Sequence, residues 1–165
     1  MSMWDWAILS TKKNPSQTKL NCSATVPRVE EDAELVKVVA RYRDGKLVKG
    51  FTRNFFANKD CFHVSPPEDP YGEPKAILMK DLKAVFFVRD FAGNPHYAER
   101  KEFPIGQTLY GRRMEVRFCD GEIIVGATLG YGGDRIGFFI APPDPNCNNI
   151  RVFAVSTAVE NVRRL

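Results

Sequence analysis

The feature that most constrains the fold is an internal repeat at an offset of 76 residues. Residues 38–67 align with residues 114–143 without a gap, and eight of these thirty positions are identical. Conservative pairs such as Tyr42 with Phe118 fill the positions between them. The identical pairs are Arg41/Arg117, Asp44/Asp120, Gly45/Gly121, Gly50/Gly126, Thr52/Thr128, Phe62/Phe138, Pro66/Pro142 and Pro67/Pro143. The matched order of turn residues and apolar residues predicts one folding unit that occurs twice.

Each copy opens with the pattern of a β-hairpin. In residues 114–118 apolar and polar side chains alternate, which is typical of a half-buried strand. The following pair Asp120 and Gly121 tolerates positive φ and predicts a two-residue turn. In the first copy the same alternation, counted from Leu47, points Lys49 inward. Either the strand bends there, or the lysine stem covers apolar surface while its amine reaches water.

Three further short strands follow each hairpin, so that each copy has five strands within about 55 residues. Short, strongly bent strands in this number suit a small closed barrel, which removes exposed sheet edges. We therefore predict a mainly β protein with two tandem five-stranded small β-barrels and an extended N-terminal segment. The predicted boundaries are residues 1–33 for the flexible extension, 34–91 for the first barrel, 92–110 for an aromatic connector and 111–165 for the second barrel.

The order of elements in both copies, "V-x-V-x-F-x-DG-E-x-x-x-G" followed by an apolar strand and a terminal "AV-x-x-V", resembles the Sm-like and SH3-like small barrels. In addition, "DLKAVFFVRDFAGNP" and "DGEIIVGATLGY" resemble an uncharacterised bacterial domain family that occurs in signalling-type proteins. That resemblance implies a bacterial cytoplasmic origin and brings no catalytic residues with it.

Composition excludes several classes of protein. The net charge of +4 is lower than a dedicated nucleic-acid binder usually carries. No apolar stretch approaches the roughly 20 residues that span a bilayer, so we expect no membrane insertion. The four cysteines lie far apart in the chain, a usage that favours reduced thiols in a cytoplasm over a disulfide framework.

No pattern predicts catalysis, a metal site or a cofactor. Cys61 and His63 lie two apart on a predicted strand, but two ligands do not make a zinc site, which normally has four. The glycine-rich run at 130–137, "GYGGDRIG", lacks the Gly-Lys-Ser/Thr ending of a phosphate loop and is interpreted as a loop between strands. We expect that the protein is not an enzyme.

Two groups of basic residues are candidate binding sites. Arg113 and Arg117 have the R-x-x-x-R spacing with which PilZ domains hold cyclic di-GMP, although the second element of that family is missing. Around the first hairpin, a two-residue turn would place Arg41, Arg43 and Lys46 on the face opposite Tyr42 and Leu47. Arg53 would lie nearby, and together these side chains could contact the phosphates of RNA, as Sm-like barrels do.

The interpretation that best fits these observations is a non-catalytic binding or scaffolding module that contacts another protein, in bacterial signalling. A ligand-responsive module for cyclic di-GMP or RNA is the alternative. Duplication of one unit within a chain can replace a homodimer, so a monomer is favoured. The connector, with its aromatic side chains, is expected to pack across both copies and fix their angle.

Overall fold

The computed structural model describes residues 34–106, 110–132 and 134–165, and this part of the chain is mainly β with no α-helix. The predicted extension, residues 1–33, lies outside the described residues. The first half contains β1 (Val36–Tyr42), β2 (Leu47–Thr52), β3 (Cys61–Val64), β4 (Lys75–Leu78), a 3₁₀ turn (Met79–Asp81) and β5 (Leu82–Val88). The second half contains β6 (Arg112–Phe118), β7 (Ile123–Thr128), β8 (Gly137–Ile140), β9 (Asn149–Val155), a 3₁₀ turn (Ser156–Ala158) and β10 (Val159–Arg164). The prediction of a mainly β fold is confirmed, and each strand falls on a segment that the sequence pattern indicates.

The strand register repeats at the same offset as the sequence. Val38 faces Gly50 in the first half, and Met114 faces Gly126 in the second. A β-bulge interrupts the pairing of β1 with β5, and an equivalent bulge interrupts the pairing of β6 with β10. Along the last strand of each half, the offset between the two bulges is one residue greater than the offset of the repeat. A single β-bridge joins β2 to β3 and another joins β7 to β8, again 76 residues apart. The two halves therefore share one order of pairing, in which the last strand lies beside the first.

The predicted pair of separate barrels is not what the halves form. Strand β5 pairs with β1 of its own half and with β9 of the other half, which produces a five-stranded sheet in the order β2-β1-β5-β9-β8. The remaining strands form a three-stranded sheet, β10-β6-β7, and a two-stranded sheet, β3-β4. None of these sheets closes on itself within the described residues. The reason is that β5 has a second hydrogen-bonding partner outside its own half.

Each face of the five-stranded sheet carries its own core. One core consists mainly of first-half residues, including Val38 and Phe62, but Phe153 and Val155 of β9 complete it. The other core is built around Val116 and Phe118, together with Ala84 of β5. Each half thus supplies buried side chains to the core of the other. Burial on both faces explains why β5 is apolar along nearly its whole length, since a strand covered on both sides has no polar face.

The hairpin turns are one residue longer than predicted. Tyr42 N–H donates to the Lys46 carbonyl, and Arg41 faces Leu47, so three residues ending at Gly45 form the loop. Gly45 has a φ of 91°, a left-handed conformation that glycine adopts without strain. Because facing residues in a sheet point to the same side, Leu47 joins Arg41 on the outer face and is 52% exposed. Lys49 therefore points outward as well, and its amine donates to the Phe91 carbonyl at 2.9 Å.

Candidate functional site

The basic residues of the first hairpin do not form one patch. The Arg41 guanidinium makes an ion pair with Glu122 of the second half at 2.7 Å. The three-residue turn brings Lys46 to the side of Tyr42, where its amine lies 5.8 Å from the ring centroid, contrary to the predicted arrangement. Arg43 is exposed, and the Arg53 guanidinium lies over the ring of Tyr71, 4.6 Å from its centroid.

Arg113 and Arg117 share one face of β6 but have different surroundings. The Arg113 guanidinium lies 4.8 Å from the ring centroid of Phe103, in the connector. Arg117 borders a polar depression that is also lined by Glu115, Glu160 and Arg163, and the Arg163 guanidinium makes an ion pair with Glu115 at 2.9 Å. The depression therefore carries both signs of charge, and a cyclic dinucleotide clamp stays a prediction.

The pair of possible metal ligands on β3 has other partners. The His63 ring nitrogen Nδ1 lies 2.8 Å from the Asn54 amide nitrogen, and the His63 backbone N–H donates to the Asn54 side-chain oxygen at 2.9 Å. Cys61 also makes an interaction within the protein, so it is not a free ligand. Cys119 and Cys147 are free thiols. Among the described residues, no group of three or more histidine, cysteine or carboxylate side chains could hold a metal ion.

An ionic cluster around a buried lysine joins the two halves. The Lys83 side chain, 4% exposed, lies at the bulge of β5 and donates to the carboxylates of Asp120 and Glu122 in the second hairpin. Its amine also lies 4.7 Å from the ring centroid of Phe118. The hydrogen bond from Lys83 lowers the pKa of the Asp120 carboxyl below its usual value of 3.8. This cluster has a structural role, since its groups satisfy one another across the interface between halves.

We expect Asp120→Asn to destabilise the protein at neutral pH and to have little effect in acid. A lowered pKa in the folded state contributes stability above the unfolded pKa of about 3.9, and this contribution is lost as pH falls through the folded value. Because the carboxylate is 44% exposed, the effect at pH 7 should be only about 0.5–1 kcal/mol. Urea unfolding of wild type and variant at pH 7 and at pH 3 measures the difference.

Asp44→Asn is the matched control for this prediction, because Asp44 makes the equivalent turn hydrogen bond, from Lys46 N–H at 2.9 Å, and no ion pair within the described residues. Its effect should be smaller and should not change with pH in the same way. Equal losses for both variants, or a loss at Asp120 that persists at pH 3, would contradict the argument.

The connector contacts the second half, and Phe91, which directly precedes the connector, contacts the first half. The Phe91 ring packs edge-on against Phe51 of β2 at a centroid distance of 5.2 Å. The Tyr97 hydroxyl donates to the buried Asp144 carboxylate, in the β8–β9 loop, at 2.7 Å. Asp144 also accepts from the Arg100 backbone N–H at 3.1 Å. The Tyr97 hydrogen bond lowers the pKa of Asp144 and raises that of the Tyr97 hydroxyl. These bonds fix the connector to the second half.

A groove of about 910 Å³ lies beside β8. It falls within the range of about 300–1,000 Å³ that ligand clefts occupy in proteins. We call it the β8 groove. The end of β7 and the following loop form one side, β8 forms the other, and Ala57 and Asn58 of the first half close one end. Its lining residues include Tyr110, Leu129, Arg135, Phe139, Arg151 and Phe153.

Large apolar side chains are exposed at the β8 groove. Leu129 is 86% exposed and Tyr110 is 85% exposed. Deeper in the groove, Phe139 is half-buried, and the Arg151 guanidinium lies 4.6 Å from its ring centroid. Such a surface can bind apolar side chains and can contact a carboxylate through Arg151 and Arg135.

No pattern in the sequence predicts the β8 groove as a binding site. The glycine-rich run was interpreted as a loop between strands, and the structure confirms that it joins β7 to β8. The available signal was the apolar pair Leu129 and Tyr131 inside that loop, since apolar residues in a glycine-rich loop have no obvious core to enter. None of the six basic candidates lines the β8 groove.

Comparison with known proteins gives a family and no assigned activity. Residues 13–165 match a family of unknown function, DUF6982, and the chain belongs to that family. The chain matches no curated protein and no solved structure. The expectation of a family without an assigned function is thus confirmed, while the Sm-like or SH3-like relationship and the link to signalling stay predictions. Within the described residues, no helix has the length and apolar character to cross a membrane.

Proposed function

We propose that this protein is a non-catalytic module that binds another protein, and that the β8 groove is its contact surface. The observation that carries the proposal is the exposure of Leu129 and Tyr110 at the β8 groove. Contiguous apolar surface of this kind on a folded protein is typical of an interaction site. Aromatic and arginine side chains, both present in the groove, are also enriched at the energetically important positions of interfaces.

A rigid support favours the same function. The groove is built on β8 and β9, which belong to the five-stranded sheet, and Phe153 packs from the groove into the shared core. Binding sites on strands of a packed sheet keep their shape, which reduces the entropy lost on association. The duplication therefore serves to build one stable body in which the second half carries the contact surface.

The wider setting is part of the proposal and is supported by the sequence alone. The resemblance to a bacterial signalling-associated family favours a signalling protein as partner. The common strand order of the two halves supports a relationship to Sm-like or SH3-like small barrels. A cytoplasmic location belongs to the same proposal and is supported by the wide spacing of the four cysteines.

Affinity capture with matched leucine variants tests the function. Leu129→Asp places a charge at the rim of the β8 groove, whereas Leu47→Asp does so at an exposed leucine of the first hairpin, outside the groove. We expect a partner from a lysate of the source organism to be retained by wild type and by Leu47→Asp, and to be reduced at least about tenfold by Leu129→Asp.

Calorimetry with cyclic di-GMP and with single-stranded RNA provides the competing outcomes. If cyclic di-GMP binds to the wild type and does not bind to Arg117→Ala, the protein is a dinucleotide-binding module and the proposal is wrong. RNA binding that weakens with salt and depends on Arg43 would replace it with the RNA function. Equal capture by both leucine variants would remove the β8 groove as the contact surface.

A further inference from the structure

We infer that the partner segment binds in the β8 groove as an added β-strand, hydrogen-bonded to the backbone of Phe139. This inference rests on the proposed function and specifies the partner as an extended peptide. Its basis is the free edge of β8, which is a feature separate from the apolar lining of the groove.

The direction of the β8 backbone groups follows from its two neighbours. On one side β8 pairs with β9, with Phe138 facing Ala154. On the other side Ala141 and Ala127 exchange both backbone hydrogen bonds at 2.8 Å. The backbone N–H and C=O groups of successive residues alternate in direction along a strand. The backbone groups of Phe139 and Gly137 therefore point to the same side of β8 as those of Ala141.

Beyond the Ala127 bridge, the backbone groups on that side of β8 have no described hydrogen-bonding partner; Phe139 is half-buried there and Gly137 is buried. Leu129 and Gly130 follow β7 along the groove, but no described residue forms a hydrogen bond with the outward N–H or C=O of Phe139 or Gly137. The side chain of Leu129 is turned to solvent instead of covering the edge. Unpaired backbone groups along a strand are a template for the addition of another strand.

In the first half, the equivalent edge belongs to β3 and is covered by a side chain. There the Asn54 side-chain oxygen accepts the N–H of His63 at 2.9 Å. The equivalents of these residues, 76 positions later, are Gly130 and Phe139. The second half therefore lacks the side chain that covers the edge in the first half, and a groove takes its place.

The charges around the edge indicate the chemistry of the added segment. Arg135 and Arg151 line the groove, and neither makes an ion pair with a described carboxylate. Asp134 is the single acidic residue among the groove-lining residues. A segment with apolar side chains facing Leu129 and an acidic side chain near the two arginines complements this surface.

Peptides selected from a phage-displayed random library against the full-length chain are the probe. Their dissociation constants are measured by calorimetry against wild type, Leu129→Asp, Gly130→Asn and Gly130→Ala. We expect Gly130→Asn to weaken binding roughly tenfold, because the new amide can cover Phe139 as Asn54 covers His63. Gly130→Ala is the matched control: its Cβ would lie 3.3 Å from the flexible Arg135 side chain, and it brings no amide.

Amide hydrogen exchange gives a second readout that side-chain docking alone would not change. In the free protein the Phe139 amide should exchange faster than the His63 amide, and the bound peptide should slow Phe139 at least about tenfold. Peptides with methylated backbone nitrogens at alternate positions should bind more weakly, while Asn54→Gly in the first half should leave the dissociation constant unchanged.

Two results would overturn the inference, and they are distinguishable. If Leu129→Asp abolishes peptide binding while Gly130→Asn and backbone methylation have no effect, the groove binds side chains only; strand addition is then wrong and the proposed function stands. If no selected peptide depends on Leu129, both the inference and the β8 groove as contact surface are wrong.

Discussion

Residues 34–91 and residues 111–165, produced as separate chains, are expected not to fold on their own. Each fragment would lose buried side chains that the other supplies, among them Phe153 and Val155 from the first core and Ala84 from the second. Full burial of one large apolar side chain stabilises a protein by about 1.5–3 kcal/mol. A domain of about 60 residues is marginally stable even when it is complete. For the first half, the loss of two such groups and of one strand pairing is therefore enough to prevent folding. The second half loses the same strand pairing and the β5 residues that cover its core.

Far-UV circular dichroism with urea titration checks this expectation. Neither fragment should give a cooperative transition, and each should be prone to aggregation because the apolar edge of β5 or β9 is uncovered. An equimolar mixture is the control, since restored pairing of β5 with β9 should recover a cooperative transition. A sharp transition in either fragment alone would mean that the halves are independent units, which would contradict this expectation.

The sequence predicted the strands well because their signals are local. Alternation in residues 114–118, followed by Asp120 and Gly121, depends only on near neighbours along the chain. Strand β6 lies where the pattern indicates, and its turn contains Gly121 with positive φ but is one residue longer than predicted. The repeat was also visible in sequence, since its identical residues sit at turns and at the bend of β2 and β7. These features specify each unit irrespective of how the two units pack.

The pairing between the halves was not predicted, because it depends on which surfaces meet. A relevant signal was present: β5 contains "AVFFV" and β9 contains "VFAV", continuous apolar runs that are typical of strands buried on both faces. A strand in a small barrel with a solvent-facing outer surface would alternate instead. The equivalent strand β10, "VENVRR", keeps the polar residues of an edge and has one neighbour, β6.

The candidate site was missed for a related reason. The basic side chains of Arg41 and Arg117 are the candidates that the sequence offers. In the structure, the Glu122 carboxylate lies 2.7 Å from the Arg41 guanidinium and neutralises its charge. This partner is 81 positions away in sequence, so the ion pair could not be predicted. The β8 groove depends on a side chain that is absent, Gly130 in place of Asn54. The effect of this glycine becomes apparent only in the structure, where the outward backbone groups of Phe139 have no described hydrogen-bonding partner.

Gly126→Ala is expected to destabilise the protein by about 3 kcal/mol, the upper end of the range for forcing extra volume into packed structure. Gly126 lies in β7 where β8 crosses closest, and a Cβ there would lie 2.6 Å from the Ala141 carbonyl oxygen. Gly50 occupies the same position in the first half, with Val64 Cγ1 at 2.5 Å from such a Cβ and the Ser65 carbonyl oxygen nearer still. Neither residue has a positive φ, so backbone approach explains why both copies have glycine here.

Gly121→Ala separates this cause from turn strain, because Gly121 has a φ of 86° and no atom within 4 Å of its hypothetical Cβ. Left-handed strain alone should cost about 1–2 kcal/mol, less than the clash at Gly126. Guanidinium unfolding of Gly121→Ala, Gly126→Ala and Gly50→Ala measures the order. If Gly126→Ala proves no worse than Gly121→Ala, then β7 and β8 can separate freely at the Ala127–Ala141 bridge. The open edge of β8 would then be a mobile feature, and the two halves would lack the common close contact that their shared glycines indicate.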